Sequence, residues 1–207
     1  FANDEYSVAL LQGSRLPAAR RDHIARQVAR YSGLSTKFVL RCDLRPNEWR
    51  FFKELLRNRG RTVGRLDSRF LGLDRDDAGE KPDDDPAMTN LVGAYAAGIN
   101  RLLKERLKFD SDAPYVVHAP IWEKWAWKDF ANKYANVGES LRRAMHANPH
   151  MRVYAACGYY DLGTPHAAAD YTLSHLGLRE SLQANVAVSY FEAGHMMYIH
   201  QPSLVRM

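Results

Sequence analysis

Two residues in the last quarter of the sequence have the types and the setting for acid–base chemistry. Asp161 ends the run Gly158-Tyr159-Tyr160-Asp161, and His195 ends Glu192-Ala193-Gly194-His195. Each follows a short apolar run, Met151 to Cys157 in one case and Asn185 to Phe191 in the other. A neutral imidazole can take the proton of a serine hydroxyl, while a buried carboxylate on its other nitrogen orients the ring and stabilises the cation that forms. Glycine close to each residue lets the chain turn sharply off a strand and present the side chain. Spacing alone leaves a structural role open, because any Asp and any His can lie in two neighbouring loops.

Other groups are weaker candidates. Gly138-Glu139-Ser140 imitates the first half of a nucleophile turn, but Leu141-Arg142 follows where a second glycine is required. No Gly-x-Ser-x-Gly occurs anywhere, so Ser140 reads as a helix-surface serine. His146 and His150 stand four apart, with Pro149 breaking the helix that would align them on a metal. Asp74, Asp76 and Gly79 fall at positions one, three and six of a calcium-loop template. Ala78 at five, Pro82 within and Asp85 rather than Glu at twelve spoil it, and the segment reads as a solvated acidic loop. Trp122, Trp125 and Trp127 with Phe130 read as an aromatic seam between two parts of the fold. His118 and His200 have no partner that the sequence identifies.

The elements that must position Asp161 and His195 can be read from periodicity. From Asp4 to about Arg106 the pattern is helical. Tyr6 to Leu11 closes at Gly13, and Asp22 to Tyr31 stops at Gly33 with Asp22 as the expected N-cap. Pro46 to Arg57 and Met88 to Leu107 repeat the style, and no strand is expected before the last third. There the grammar changes to a helix over Val137 to His146, a strand over Met151 to Cys157, a helix over Pro165 to Leu176 and a strand over Asn185 to Phe191. Helix, strand, helix, strand predicts parallel strands joined by crossover helices, an α/β sheet. Functional groups in such sheets gather beyond the carboxyl ends of the strands, where both candidates fall. An acid after one strand and a histidine after the next is the chain order of an α/β-hydrolase triad. Two strands make no stable sheet alone, so further strands are expected from outside the chain.

Gly158-Tyr159-Tyr160-Asp161-Leu162-Gly163-Thr164-Pro165 and Glu192-Ala193-Gly194-His195-Met196-Met197-Tyr198 resemble the two C-terminal signatures of the serine carboxypeptidases, peptidase family S10, with the bacterial branch nearest. The likeness runs upstream through Leu141 to Met145 with Asn148-Pro149, through Gly64-Arg65-Leu66-Asp67-Ser68-Arg69-Phe70, and back to Tyr6 to Gly13. It implies the C-terminal portion of an α/β-hydrolase sheet preceded by a mainly helical cap insertion. Residues 1–112 would be the cap and 113–207 the C-terminal part of the core. Asp161 would be the triad acid, His195 the triad base, and Met196 a substrate-binding residue on the leaving-group side of the scissile bond. The partners implied are a peptide substrate and the absent N-terminal half of the same protein, which would carry the serine elbow and the oxyanion hole. No metal or organic cofactor is implied. The intact enzyme would release C-terminal amino acids through an acyl-enzyme, and this portion alone would be inactive. An acyltransferase of the same family, or a non-catalytic binding domain of the same fold, are the alternatives.

Composition excludes two other classes. The formal net charge of +5 invites nucleic acid, but the cations are spread from Arg15 to Arg206, and the densest run leads into acidic residues 74–85. No run of about 18 apolar residues exists, so no membrane span is expected. Of the two cysteines, Cys157 ends an apolar run and reads as a buried thiol rather than half of a disulfide.

Overall fold

The computed structural model describes all 207 residues. They form two compact units: Phe1–Gly64 with Leu71–Pro86, and Arg65–Phe70 with Ala87–Met207. This division differs from the expected one at 112/113. A six-residue segment, Arg65–Phe70, is held inside the second unit by hydrogen bonds to the loops that follow its two strands, and α5 belongs almost wholly to that unit.

The first unit is built from α1 (Ser7–Gln12), α2 (Ala18–Ser32), α3 (Thr36–Arg41) and α4 (Glu48–Glu54). In α2 the apolar stripe places Ile24, Ala25 and Val28 in a core shared with Ala9, Leu16, Leu34, Val39 and Leu44. Gly33 stops the helix in a left-handed turn, φ 78°, with its amide bonded to Ala29 O. The start of α2 corrects the expectation: Asp22 lies inside the helix rather than at its N-cap. Pro17, extended at ψ 143°, interrupts the helix from before, and its carbonyl accepts the first intrahelical bond from Arg21 N. Ser35 and Asn47 cap α3 and α4 with their side chains.

Two short strands also escaped the sequence reading. β1 (Thr62–Val63) and β2 (Leu71–Gly72) pair antiparallel, too briefly for a period-two pattern to register. The acidic loop after β2 is not wholly solvated either. Lys53 and Asp74 are 3% and 5% exposed and form an ion pair, and Lys53 Nζ also donates to Asp76 O at 2.5 Å. A buried ammonium needs such partners, and α4 supplies it at a fixed position.

In the second unit, α5 (Pro86–Arg101) opens on a proline, a residue suited to a first helical turn. Short helical turns follow at Leu102–Arg106, Ile121–Lys124 and Trp127–Phe130. Trp122 and Trp127 on the last two turns, and Trp125 between them, are 51–60% exposed, so they do not form the buried seam expected of them. Trp125 and Trp127 stack only on each other, with ring centroids 6.1 Å apart, and Trp127 meets Phe130 edge-on.

Next comes α6 (Gly138–Ala147), with Met145 fully buried. β3 (Val153–Gly158), α7 (His166–Ser174), α8 (Glu180–Gln183), β4 (Val186–Phe191) and α9 (Gln201–Arg206) complete the unit. β3 and β4 pair in parallel from Val153↔Val186 to Gly158↔Phe191, with α7 and α8 in the crossover between them. Burial deepens toward the carboxyl ends, where Cys157, Gly158 and Phe191 are buried. Tyr190 anchors the crossover by donating to Asp170 of α7 at 2.6 Å, a bond that pushes the phenol up to about 12. No helix is long and apolar enough to cross a membrane.

Candidate active site

Parallel pairing puts the carboxyl ends of β3 and β4 side by side, so the loops that leave them are neighbours. Tyr159 N donates to Phe191 O at 2.9 Å, and Tyr160 N to Ala193 O at 3.0 Å, so the loops stay zipped beyond the strands. Such closeness needs glycine. A Cβ on Gly158 would lie 2.3 Å from Gly194 O and 2.4 Å from Ala193 O.

Past this point the chain brings Asp161 and His195 together. Asp161 Oδ2 lies 2.8 Å from His195 Nδ1. The Asp161 side chain is 4% exposed and that of His195 45%, so a sheltered carboxylate meets an accessible imidazole. Asp161 also closes a tight local turn, with Oδ1 accepting from Gly163 N and Thr164 N, both at 2.8 Å. Oδ2 accepts from the Thr164 hydroxyl at 2.6 Å, and that hydroxyl lies 3.0 Å from His195 Nδ1. Burial alone pushes the Asp161 carboxyl up. The hydroxyl and amide of Thr164 and the imidazole of His195 together outweigh burial and hold it below its usual 3.8. Asp161 is therefore a fixed anion at neutral pH. With Nδ1 engaged as the donor, Nε2 is the nitrogen that can exchange a proton with another group.

A third segment completes the constellation. His195 N donates to Leu66 O at 2.7 Å, Leu162 N to Arg65 O at 3.0 Å, and Ser68 N to Tyr160 O at 2.9 Å. Asp67 is 2% exposed, and its Oδ2 accepts from Gly194 N at 3.0 Å. Arg69 grips the same carboxylate through Nε at 3.0 Å and Nη2 at 2.7 Å. Its Nη1 reaches Glu192 O at 2.9 Å.

Met196 is half-buried beside His195 and lines a cavity of about 340 Å³. Met88, Leu91, Val92, Tyr95 and Ile99 of α5 form one wall, and Tyr198 stands near Met196. No charged side chain lines it. Ser140 lies exposed in the first turn of α6, its amide bonded to Val137 O at 3.0 Å, and it makes no hydrogen bond with His195. His146 Nδ1 is engaged with Arg142 O at 2.8 Å, and His200 Nδ1 with Ser203 Oγ at 2.8 Å. His118 packs its ring near Trp122, 5.5 Å between centroids. No group of three or more His, Cys, Asp or Glu side chains is arranged to hold a metal ion.

Two participants were not singled out from the sequence, Thr164 and Asp67. Thr164 had a local signal, since Asp followed by a hydroxyl residue three positions on is a common way to cap a turn. Asp67 stood only within the Gly64–Phe70 stretch of the resemblance, and nothing there pointed to its contact with Gly194, 127 positions away. Comparison with family models, with curated proteins and with solved structures gives no match to this chain.

Proposed function

We propose that Asp161 and His195 are the acid and base of a serine-hydrolase triad, and that the chain is a C-terminal portion of a serine-type carboxypeptidase. The observation that carries this reading is the 2.8 Å bond between Asp161 Oδ2 and His195 Nδ1 beyond adjacent parallel strands. In the reaction, Nε2 of His195 takes the proton of a serine hydroxyl as its oxygen attacks the scissile carbonyl. Asp161, ionised and held by Thr164, keeps Nδ1–H directed inward and stabilises the imidazolium. The imidazolium returns its proton to the leaving amine as the C–N bond breaks. Water then cleaves the acyl-enzyme by the same route. The serine and the oxyanion-hole donors belong to polypeptide outside these 207 residues. Met196 and the uncharged cavity it lines would receive an apolar part of the substrate.

Fluorophosphonate labelling tests the proposal. The purified chain should take up no label. Expressed together with the polypeptide encoded upstream, it should support stoichiometric labelling of a serine there, lost in His195→Ala and sharply slowed in Asp161→Asn. Release of the C-terminal residue from a blocked dipeptide then distinguishes hydrolysis from acyl transfer to an added alcohol. Labelling of the isolated chain that vanishes in Ser140→Ala would make Ser140 the nucleophile and overturn the proposal.

A further inference from the structure

We propose that Asp67, with Arg69 as its cation, is a positioning residue that sets His195 against Asp161. This rests on the reading of Asp161 and His195 as an acid–base pair. The two partners are held unequally. Asp161 is fixed by its own turn, through Gly163 N and Thr164 N and hydroxyl. His195 follows a glycine and is nearly half exposed, so its own neighbours supply little to hold it. Its placement is set from residues 65–70. Leu66 O takes the His195 amide and the Asp67 carboxylate takes the Gly194 amide, so two consecutive N–H groups are pinned to one segment.

The carboxylate itself is locked. Arg69 donates from its backbone amide and Nε to Oδ1, and from Nη2 to Oδ2. A planar guanidinium across both oxygens fixes the rotation of the carboxylate, and with it the direction in which Oδ2 meets Gly194. Arg69 also senses both loops, with Nη1 on Glu192 O and its cation 5.0 Å from the Tyr160 ring centroid. Tyr160 immediately precedes Asp161, and Glu192 lies three residues before His195. The same segment returns a bond on each side of Asp161, at Tyr160 O and Leu162 N. The Asp67–Arg69 unit is thus a splint between the acid loop and the base loop. A carboxylate this buried, with donors drawn from its own segment and from Gly194, has no route to solvent that would let it exchange partners cheaply.

The test uses the 207-residue chain with ¹⁵N-labelled histidine. A ring N–H bonded to a carboxylate gives a far-downfield, slowly exchanging proton resonance. It should be present in the wild type and absent in Asp161→Asn. Asp67→Asn keeps the volume and one acceptor for Gly194 but presents an amide to Arg69. It should lose the resonance at a temperature where its amide spectrum shows the chain still folded. Should Asp67→Asn fail to fold, Arg69→Lys carries the same prediction, since it keeps a cation beside the buried Asp67 carboxylate but cannot span both of its oxygens. A resonance unchanged in the folded variants, with only a lower melting temperature, would mean that Asp67 serves stability alone and would overturn the inference. A wild-type spectrum without the resonance, or one indifferent to Asp161→Asn, would overturn the acid–base reading and the inference with it.

Discussion

Gly194, with Gly158, should be among the least replaceable residues near the candidate site. Its backbone does not need a left-handed conformation; what forbids a side chain is proximity. A Cβ there would lie 2.4 Å from Leu66 O and 2.4 Å from Asp67 Cβ, whereas Cβ contacts stay above 3.0 Å. Both atoms belong to a segment bonded on several sides, so a flexible side-chain end cannot simply swing away. The segment must retreat by roughly half an ångström or more, and two bonds stretch with it: His195 N to Leu66 O, 2.7 Å, and Gly194 N to Asp67 Oδ2, 3.0 Å. The first is a neutral bond worth about 1 kcal/mol, and the second, to a buried carboxylate, about 1.5–3 kcal/mol. Gly194→Ala should therefore destabilise the second unit by about 3 kcal/mol. With a urea m-value of about 2 kcal/mol/M, the midpoint would fall by about 1.5 M. Gly163→Ala is the control. Its nearest contacts would be 3.3–3.4 Å from side-chain atoms, and it should cost less than about 1 kcal/mol. Urea unfolding followed by circular dichroism gives the global effect, and amide exchange at His195 gives the local one. Stability within about 0.5 kcal/mol of wild type, with the His195 amide still protected, would refute the close-approach reasoning.

Because the Asp161 carboxyl is held below its usual value, it contributes stability above the unfolded value of 3.8 that disappears as pH falls through the lower folded value. Urea midpoints from pH 5 downward should fall less steeply in Asp161→Asn than in wild type; parallel curves would argue against the depressed carboxyl. Lys53→Met should cost about 3–5 kcal/mol by stranding the buried Asp74 carboxylate, and Lys53→Met with Asp74→Leu should recover most of it in the same unfolding assay. A Cβ on Gly93 or Gly98 of α5 would meet nothing within 4 Å, so either alanine variant should raise stability by about 0.5–1 kcal/mol, read as a higher melting temperature.

The elements around the candidate site were legible because their signals are local. Apolar runs ending at Gly158 and near Gly194 mark strands by composition, and the helical stretch between them demands a parallel crossover, so the neighbourhood of Asp161 and His195 follows from chain order. Gly33 ends α2 in a left-handed turn, φ 78°, and was readable as a stop, whereas α7 already ends at Ser174, short of the expected Leu176. The local reading failed where a signal was too short or a boundary was set from before. β1 and β2 are two residues each, and Pro17 moved the start of α2 ahead of Asp22. The Trp122–Trp127 stretch has the composition of a core and lies on exposed turns, because burial depends on what a side chain meets rather than on what it is. Tertiary structure alone decided that Lys53 neutralises Asp74 and that residues 65–70 leave the first unit to join the loops after β3 and β4. Asp67 and Gly194 are 127 positions apart, and neither has a period, a cap or a turn that refers to the other. Hydrogen bonds between loops depend on where each chain end is carried in space. That is set by the packing of whole elements, and no window of sequence contains it.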